Sequence, residues 1–203
     1  MAEPNRKVFI NCPFDADYQP LFRAAVFTVA RSGFDPRCAL ETDDASENRF
    51  EKICGIISEC RYGIHDISRT ELDPKSNLPR FNMPFELGLF LGARRFGSKT
   101  QRQKRCIVFD CDRYRFQAYI SDISGQDIHA HGGDVTILIV DLASWLRDQS
   151  RRPNVPGGRV IAAEFATFQQ ALPEICAKRQ LVQEELTFGD YADMVAQYVA
   201  EAT

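Results

Sequence analysis

The chain has 203 residues, 44% of them hydrophobic and 11% aromatic, which is enough for one sizeable core and too apolar for a disordered polymer. A net charge of −3, from 25 basic and 28 acidic side chains, gives no ground for a polyanion-binding surface, so nucleic acid is not an expected partner. No stretch approaches the ~18 uninterrupted apolar residues of a membrane span, and Met1 to Lys7 lacks the apolar core of a secretory leader, so no membrane partner is expected and the location is read as cytoplasmic.

Lys7 to Cys12 reads as a buried strand, closed by Pro13. From Tyr18 to Ser32 the apolar Leu21, Phe22, Ala25, Val26 and Val29 recur at helical spacing, and Gly33 stops the helix. Phe34 to Leu40 is a weaker second strand. Ser46 is positioned to cap a helix whose inner face carries Phe50, Ile53, Ile56 and Ile57. The third strand is Tyr62 to Ile67. After a polar loop comes an apolar helix that includes Phe85 to Ala93, with Glu86 in its first turn. Arg105 to Cys111 is the fourth strand, and part of Phe116 to Ile123 offers a short edge strand. Asp134 to Asp148 is a helix with Val135, Leu138, Ile139, Leu142, Trp145 and Leu146 on its apolar side. Arg151 to Gly158 is a linker, and Arg159 to Thr203 reads as further helices.

Strands alternating with helices in this rhythm predict a three-layer α/β/α domain over residues 1–150, with a parallel sheet of four to five strands covered on both faces. Residues 151–203 form a C-terminal helical extension packed on it. Seven cysteines, an odd number without metal-ligand spacing, serve as small hydrophobes in a reduced protein. No metal and no cofactor are expected.

In open parallel sheets the ligand binds beyond the carboxyl ends of the strands. Those ends carry Asn11 and Asp15 after the first strand, Glu41, Asp43 and Asp44 after the second, Asp66 and Ser68 after the third, and Asp110 and Asp112 after the fourth. Glu86 joins them from the helix after the third strand, and Asn82, in the turn before it, is counted among the substrate-binding residues. An acidic rim suits a hydroxyl-rich ligand with a developing cationic centre. Departure of a base leaves an oxocarbenium-like sugar, which a carboxylate stabilises or traps. Glu86 would be that group, kept ionised by the helix dipole, and Asp66 would orient a sugar hydroxyl or handle a proton. The plainer alternative is that Glu86 only complements the dipole and Asp66 only caps a turn.

Lys7-Val8-Phe9-Ile10-Asn11-Cys12-Pro13-Phe14-Asp15 resembles the opening strand and loop of Toll/interleukin-1 receptor (TIR) domains. Asp66 closing the third strand, followed by Met83-Pro84-Phe85-Glu86-Leu87-Gly88, is similar to nucleoside 2-deoxyribosyltransferases, whose nucleophilic Glu precedes Leu-Gly. The resemblance covers roughly residues 7–146. It implies a flavodoxin-like fold and cleavage of an N-glycosidic bond in a nucleoside, a nucleotide or NAD, by hydrolysis or transfer. Glu86 is then the catalytic acid, Asp66 lines the sugar site, and Asn11 and Phe14 border the pocket for base or nicotinamide. The resemblance also implies self-association into a homo-oligomer. The alternative is a non-catalytic module of the same fold that senses a nucleotide or docks other proteins. A receiver-like phosphoacceptor would need an acidic pair after the first strand, where Asn11-Cys12 stands instead.

Arg37 and Arg49 flank the acidic loop; they can bind a phosphate or pair with acids such as Asp43, Asp44 or Glu47. His129 and His131 read as exposed loop histidines rather than metal ligands, for want of a third ligand. His65 alternates with Asp66 and so packs beneath a helix on the other sheet face. Cys12 is read as packing before reactive thiol. The basic run from Arg94 to Arg105 reads as a solvated loop.

Overall fold

The computed structural model describes residues 6–41, 44, 46–72 and 77–201. Among these, β1 (Lys7–Asn11), β2 (Asp35–Arg37), β3 (Tyr62–Asp66), β4 (Arg105–Asp110) and β5 (Ile128–Ala130) form one sheet in the order β2-β1-β3-β4-β5, with every neighbouring pair parallel. Parallel neighbours require crossovers, and helices supply them. The helices are α1 (Gln19–Arg31), α2 (Arg49–Glu59), α3 (Asn82–Phe96), α4 (Val135–Ser150), α5 (Gly158–Lys178) and α6 (Phe188–Glu201). This strand order with helices on both faces is the flavodoxin-like three-layer α/β/α fold expected from the sequence.

Strand alternation divides the core. Val8, Ile10, Tyr62, Ile64, Ile107 and Phe109 point to the face covered by α1 and α4. Phe9, Cys106 and Val108 point to the face covered by α2 and α3, where they meet Ile53, Ile57, Leu87 and Phe90. The C-terminal helices α5 and α6 lie on the outer side of α1 and α4 and share their core. Phe27 of α1, fully buried, packs within 5.4 Å of the rings of Phe165 and Phe168 of α5. Each such fully buried side chain contributes roughly 1.5–3 kcal/mol.

Several elements begin or fall elsewhere than the sequence suggested. α3 starts at Asn82, because Pro84 sits in the first turn, where its missing N–H is not needed. Glu86 is therefore the fifth helical residue, and the first turn holds no acid. α2 is capped by Asn48, whose Oδ1 accepts from the backbone N–H of Phe50 (2.9 Å) and Glu51 (3.3 Å); Ser46 instead closes a turn onto Asp44. The edge strand is Ile128–Ala130, not part of Phe116 to Ile123, which forms two short 3₁₀ turns. Arg115, drawn inward onto Asp110, prevents that stretch from extending. In the basic run, Lys104 is 1% exposed, its ammonium donating to the carbonyls of Ile57 and Cys60 at the end of α2.

A Cβ built at Gly158 would fall on the backbone of Val140, so α5 can approach α4 there only without a side chain. Gly158→Ala should lower the unfolding free energy by roughly 1–3 kcal/mol, read as a shift of the urea midpoint at unchanged m-value. An unchanged midpoint would mean that the α4–α5 contact is soft.

Candidate functional site

The carboxyl edge of the sheet is organised by two fully buried carboxylates. Asp66, 1% exposed at the end of β3, accepts the Tyr18 hydroxyl (2.7 Å) on Oδ2 and the Ser68 backbone N–H (2.9 Å) and hydroxyl on Oδ1. His131 Nε2 lies 3.0 Å from Oδ2, out of line for a good hydrogen bond. His131 Nδ1 accepts from Gly133 N (2.8 Å), which places the proton of the neutral ring on Nε2, toward Asp66. Three donors and the His131 ring surround the carboxylate, which at 1% exposure presents no open side to a ligand. Asp66 thus ties together the connections after β1, β3 and β5.

Asp110, 0% exposed at the end of β4, is held likewise. It accepts from Arg115 (2.6 and 2.9 Å), Tyr119 (2.9 Å) and Cys111 N (2.7 Å). Arg115 also donates to Thr70 Oγ1 (2.7 Å) and to the Ser68 carbonyl, which joins this network to the loop after β3.

Glu86 is the exception. The residue is 7% exposed and its carboxyl accepts no hydrogen bond from any described residue, but its oxygens are not sealed in the core and reach the surface. Burial pushes its pKa up from 4.5 to about 7, with Arg49 at the start of α2 pulling in the other direction. The helix dipole does not keep it ionised, as the sequence suggested: at the fifth position the carboxyl lies beyond the first turn, and desolvation prevails. Phe50 of α2 and Phe85 of α3 are both half-exposed beside it, with ring centroids 6.1 Å apart.

Asp66 and Glu86 reach the same end of the sheet from opposite faces, Asp66 on the side of α1 and α4, Glu86 from α3. Cys12 senses both: burial first, then Asp66, Cys38, Glu86 and Asp15, push its thiol well above the ordinary range, so it stays protonated and apolar.

The other expected site residues divide in the same way. Asn11, 3% exposed, spends its amide on Met83 O (2.8 Å) and His65 Nδ1 (3.0 Å), fixing the start of α3 to β1. His65 lies between Phe9 and Phe90, held neutral by burial, its pKa down to about 3, as the alternation argument required. Phe14 packs edge-on against Phe22 (5.3 Å), half-buried at the core's rim. Asp15 is paired twice with Arg69, whose hydrogen bonds hold its carboxyl below the usual range. Ser68 is buried against Asp66. Asn82 is exposed at the first position of α3. Arg49 is exposed near Glu86 and makes no ion pair with any described residue. Arg37 is spent on Glu41 (2.5 and 2.6 Å) of the loop after β2 and on Glu59 (2.8 Å) at the far end of α2, so it pairs with acids rather than waiting for a phosphate. Asp43 lies outside the described residues.

Tyr18 and His131 were missed as members of the site. His131 is 2% exposed, not an exposed loop residue as the sequence suggested, because Asp66 and the rings of Tyr18 and Phe109 enclose it. Nothing in local spacing marks either residue. The usable signal is that parallel strands bring the residues following them to one edge. Among the described residues no group of three or more His, Cys, Asp and Glu side chains is arranged to hold a metal, and no helix is long and apolar enough to cross a membrane. Compared with known proteins, the chain matches no protein-family model, no curated protein and no solved structure.

The raised pKa of Glu86 has a sign that stability reports. Below about pH 4.5 the carboxyl is neutral in folded and unfolded chains alike. Between there and about pH 7 only the unfolded chain loses the proton, so stability falls as pH rises. Above pH 7 the folded state carries a deficit of about 3 kcal/mol. Glu86→Gln should therefore raise the melting temperature at pH 8 and leave it nearly unchanged at pH 4. Equal effects at both pH values would show that the carboxyl is not desolvated.

Proposed function

We propose that the protein cleaves the N-glycosidic bond of a nucleoside, a nucleotide or NAD, by hydrolysis or glycosyl transfer, with Glu86 as the reacting carboxylate. The observation that supports this reading is a carboxyl on a largely buried residue, raised to about 7 by desolvation and without an internal donor, whose oxygens reach the surface at the edge of a parallel sheet where ligands bind. A carboxyl so perturbed and still accessible is a candidate functional group. The likeness of Phe85-Glu86-Leu87-Gly88 to the nucleophilic Glu-Leu-Gly of the deoxyribosyltransferases points the same way.

In this reading the bond from the anomeric carbon to the base nitrogen breaks, and the base departs with the bonding pair. The ionised Glu86 then bonds to, or stabilises, the cationic carbon. Water or another acceptor attacks that carbon, loses a proton and frees the carboxylate. Arg49 suits a phosphate on the substrate, and Phe50 with Phe85 suits a flat base. Asp66 acts at one remove, by holding Tyr18, Ser68 and His131 in place.

A second reading, a nucleotide-sensing or protein-docking module of the same fold, is favoured by one observation. Leu72, Leu78 and Phe81 before α3 and Phe85 in its first turns are each more than half exposed, and apolar surface of that kind marks interaction sites and self-association.

Chromatography of base released from NAD and from 2′-deoxynucleosides separates the two readings. The enzyme reading expects release by the wild type and a loss of roughly 10²–10⁴-fold or more in Glu86→Gln. It also expects kcat/KM to rise tenfold per pH unit below about 7 and to level above it, because only the ionised carboxyl attacks. Nucleotide binding without release of base from any substrate would sink the enzyme and leave the module.

A further inference from the structure

A cavity of about 510 Å³ opens beside β5, the edge strand at the opposite end of the sheet from β2. This lies within the ~300–1,000 Å³ range of small-molecule sites. It is separate from the Glu86 region: its floor is β5, and its walls are the connection between β4 and β5 on one side and α4 on the other.

Its side chains are prepared for a ligand. His129 is braced on two sides, with Nδ1 2.9 Å from Asp141 Oδ2 of α4 and its ring 5.8 Å from that of buried Phe109. With Nδ1–H given to the carboxylate, Nε2 is the free ring nitrogen. Tyr114 takes a left-handed backbone (φ 63°), which is unfavourable for a residue with a Cβ. That turn sends the next residue, Arg115, inward to Asp110 and leaves the Tyr114 ring 70% exposed on the cavity wall. Arg113 and Asp127 also line the space, and neither has an ion-pair partner among the described residues. As the edge strand, β5 leaves main-chain donors and acceptors without a neighbouring strand on its outer side.

An exposed aromatic ring, a hydrogen-bonding strand edge, an unpaired carboxylate and an unpaired guanidinium match the parts of one ligand class. We propose that this cleft binds a nucleoside monophosphate, with the base on Tyr114 and against the β5 edge, the ribose hydroxyls on Asp127 and the phosphate on Arg113. Stacking needs only a flat ring, a carboxylate accepts from both hydroxyls of a ribose, and a guanidinium matches a phosphate with two parallel donors. The site stands whether or not Glu86 is catalytic.

Isothermal titration of the full chain with AMP, adenosine and ribose 5-phosphate tests it. AMP should bind most tightly, with adenosine weakened by loss of the phosphate and ribose 5-phosphate by loss of the base. Tyr114→Gly removes the ring while suiting the left-handed backbone, so it should weaken AMP roughly tenfold or more without unfolding the chain. In the Arg49→Ala background, which disables phosphate binding in the Glu86 region, AMP should still bind, and adding Asp127→Asn should weaken it. Absence of AMP binding at millimolar concentration would overturn the proposal. So would ribose 5-phosphate binding as tightly as AMP, AMP binding unaffected by Tyr114→Gly, or AMP binding removed by Arg49→Ala. The last two readouts separate this cleft from the Glu86 region, whose own failure would appear only in base release.

Discussion

The carboxyl edge depends on the burial of Asp66 with its donors. Removing a carboxylate from water costs several kcal/mol unless hydrogen bonds replace its hydration. Here they come from Tyr18 before α1 and Ser68 after β3, with the His131 ring before α4 closing the far side. Three connections far apart in the chain are thereby referred to one pair of oxygens. Asp110 repeats the device one strand over, through Arg115 and Tyr119. The loops at this edge are fixed by buried charge rather than by their own turn chemistry.

Against that background Glu86 is chemically the same group in the opposite circumstance. Asp66 and Asp110 are enclosed with their donors, whereas Glu86 has no internal donor, keeps its oxygens at the surface and is pushed toward neutrality by desolvation. Nearby, Asn11 is spent holding α3 in place, Cys12 stays a protonated thiol, and Arg49 is the cation whose field reaches the Glu86 carboxyl.

The C-terminal helices change the character of the layer beneath them. In an ordinary three-layer fold a helix such as α1 would bury one stripe and wet the other. Here Leu21, Phe22 and every residue from Ala24 to Val29 are buried, because the sheet covers one side and α5 and α6 the other. Phe27 turns its ring to Phe165, Phe168 and Tyr198, so the extension and the sheet layer share a continuous core.

Local pattern alone determined the apolar runs of β1, β3 and β4, the helices between them and hence the parallel three-layer sheet, because hydrophobic periodicity is a property of neighbours in sequence. The alternation of His65 with Asp66 likewise fixed which face each side chain takes. Glu86 stood out for the same reason, as a charge within an apolar helix. What sequence left undecided came from partners distant in the chain. Arg115 on Asp110 displaced the edge strand to Ile128–Ala130, and Arg37 was claimed by Glu41 and Glu59 instead of a phosphate. His131 was buried by Asp66, and Glu86 lost the dipole's support because its helix begins before Pro84. Ionisation and hydrogen bonding depend on which groups meet across the fold, and only the tertiary structure decides those meetings.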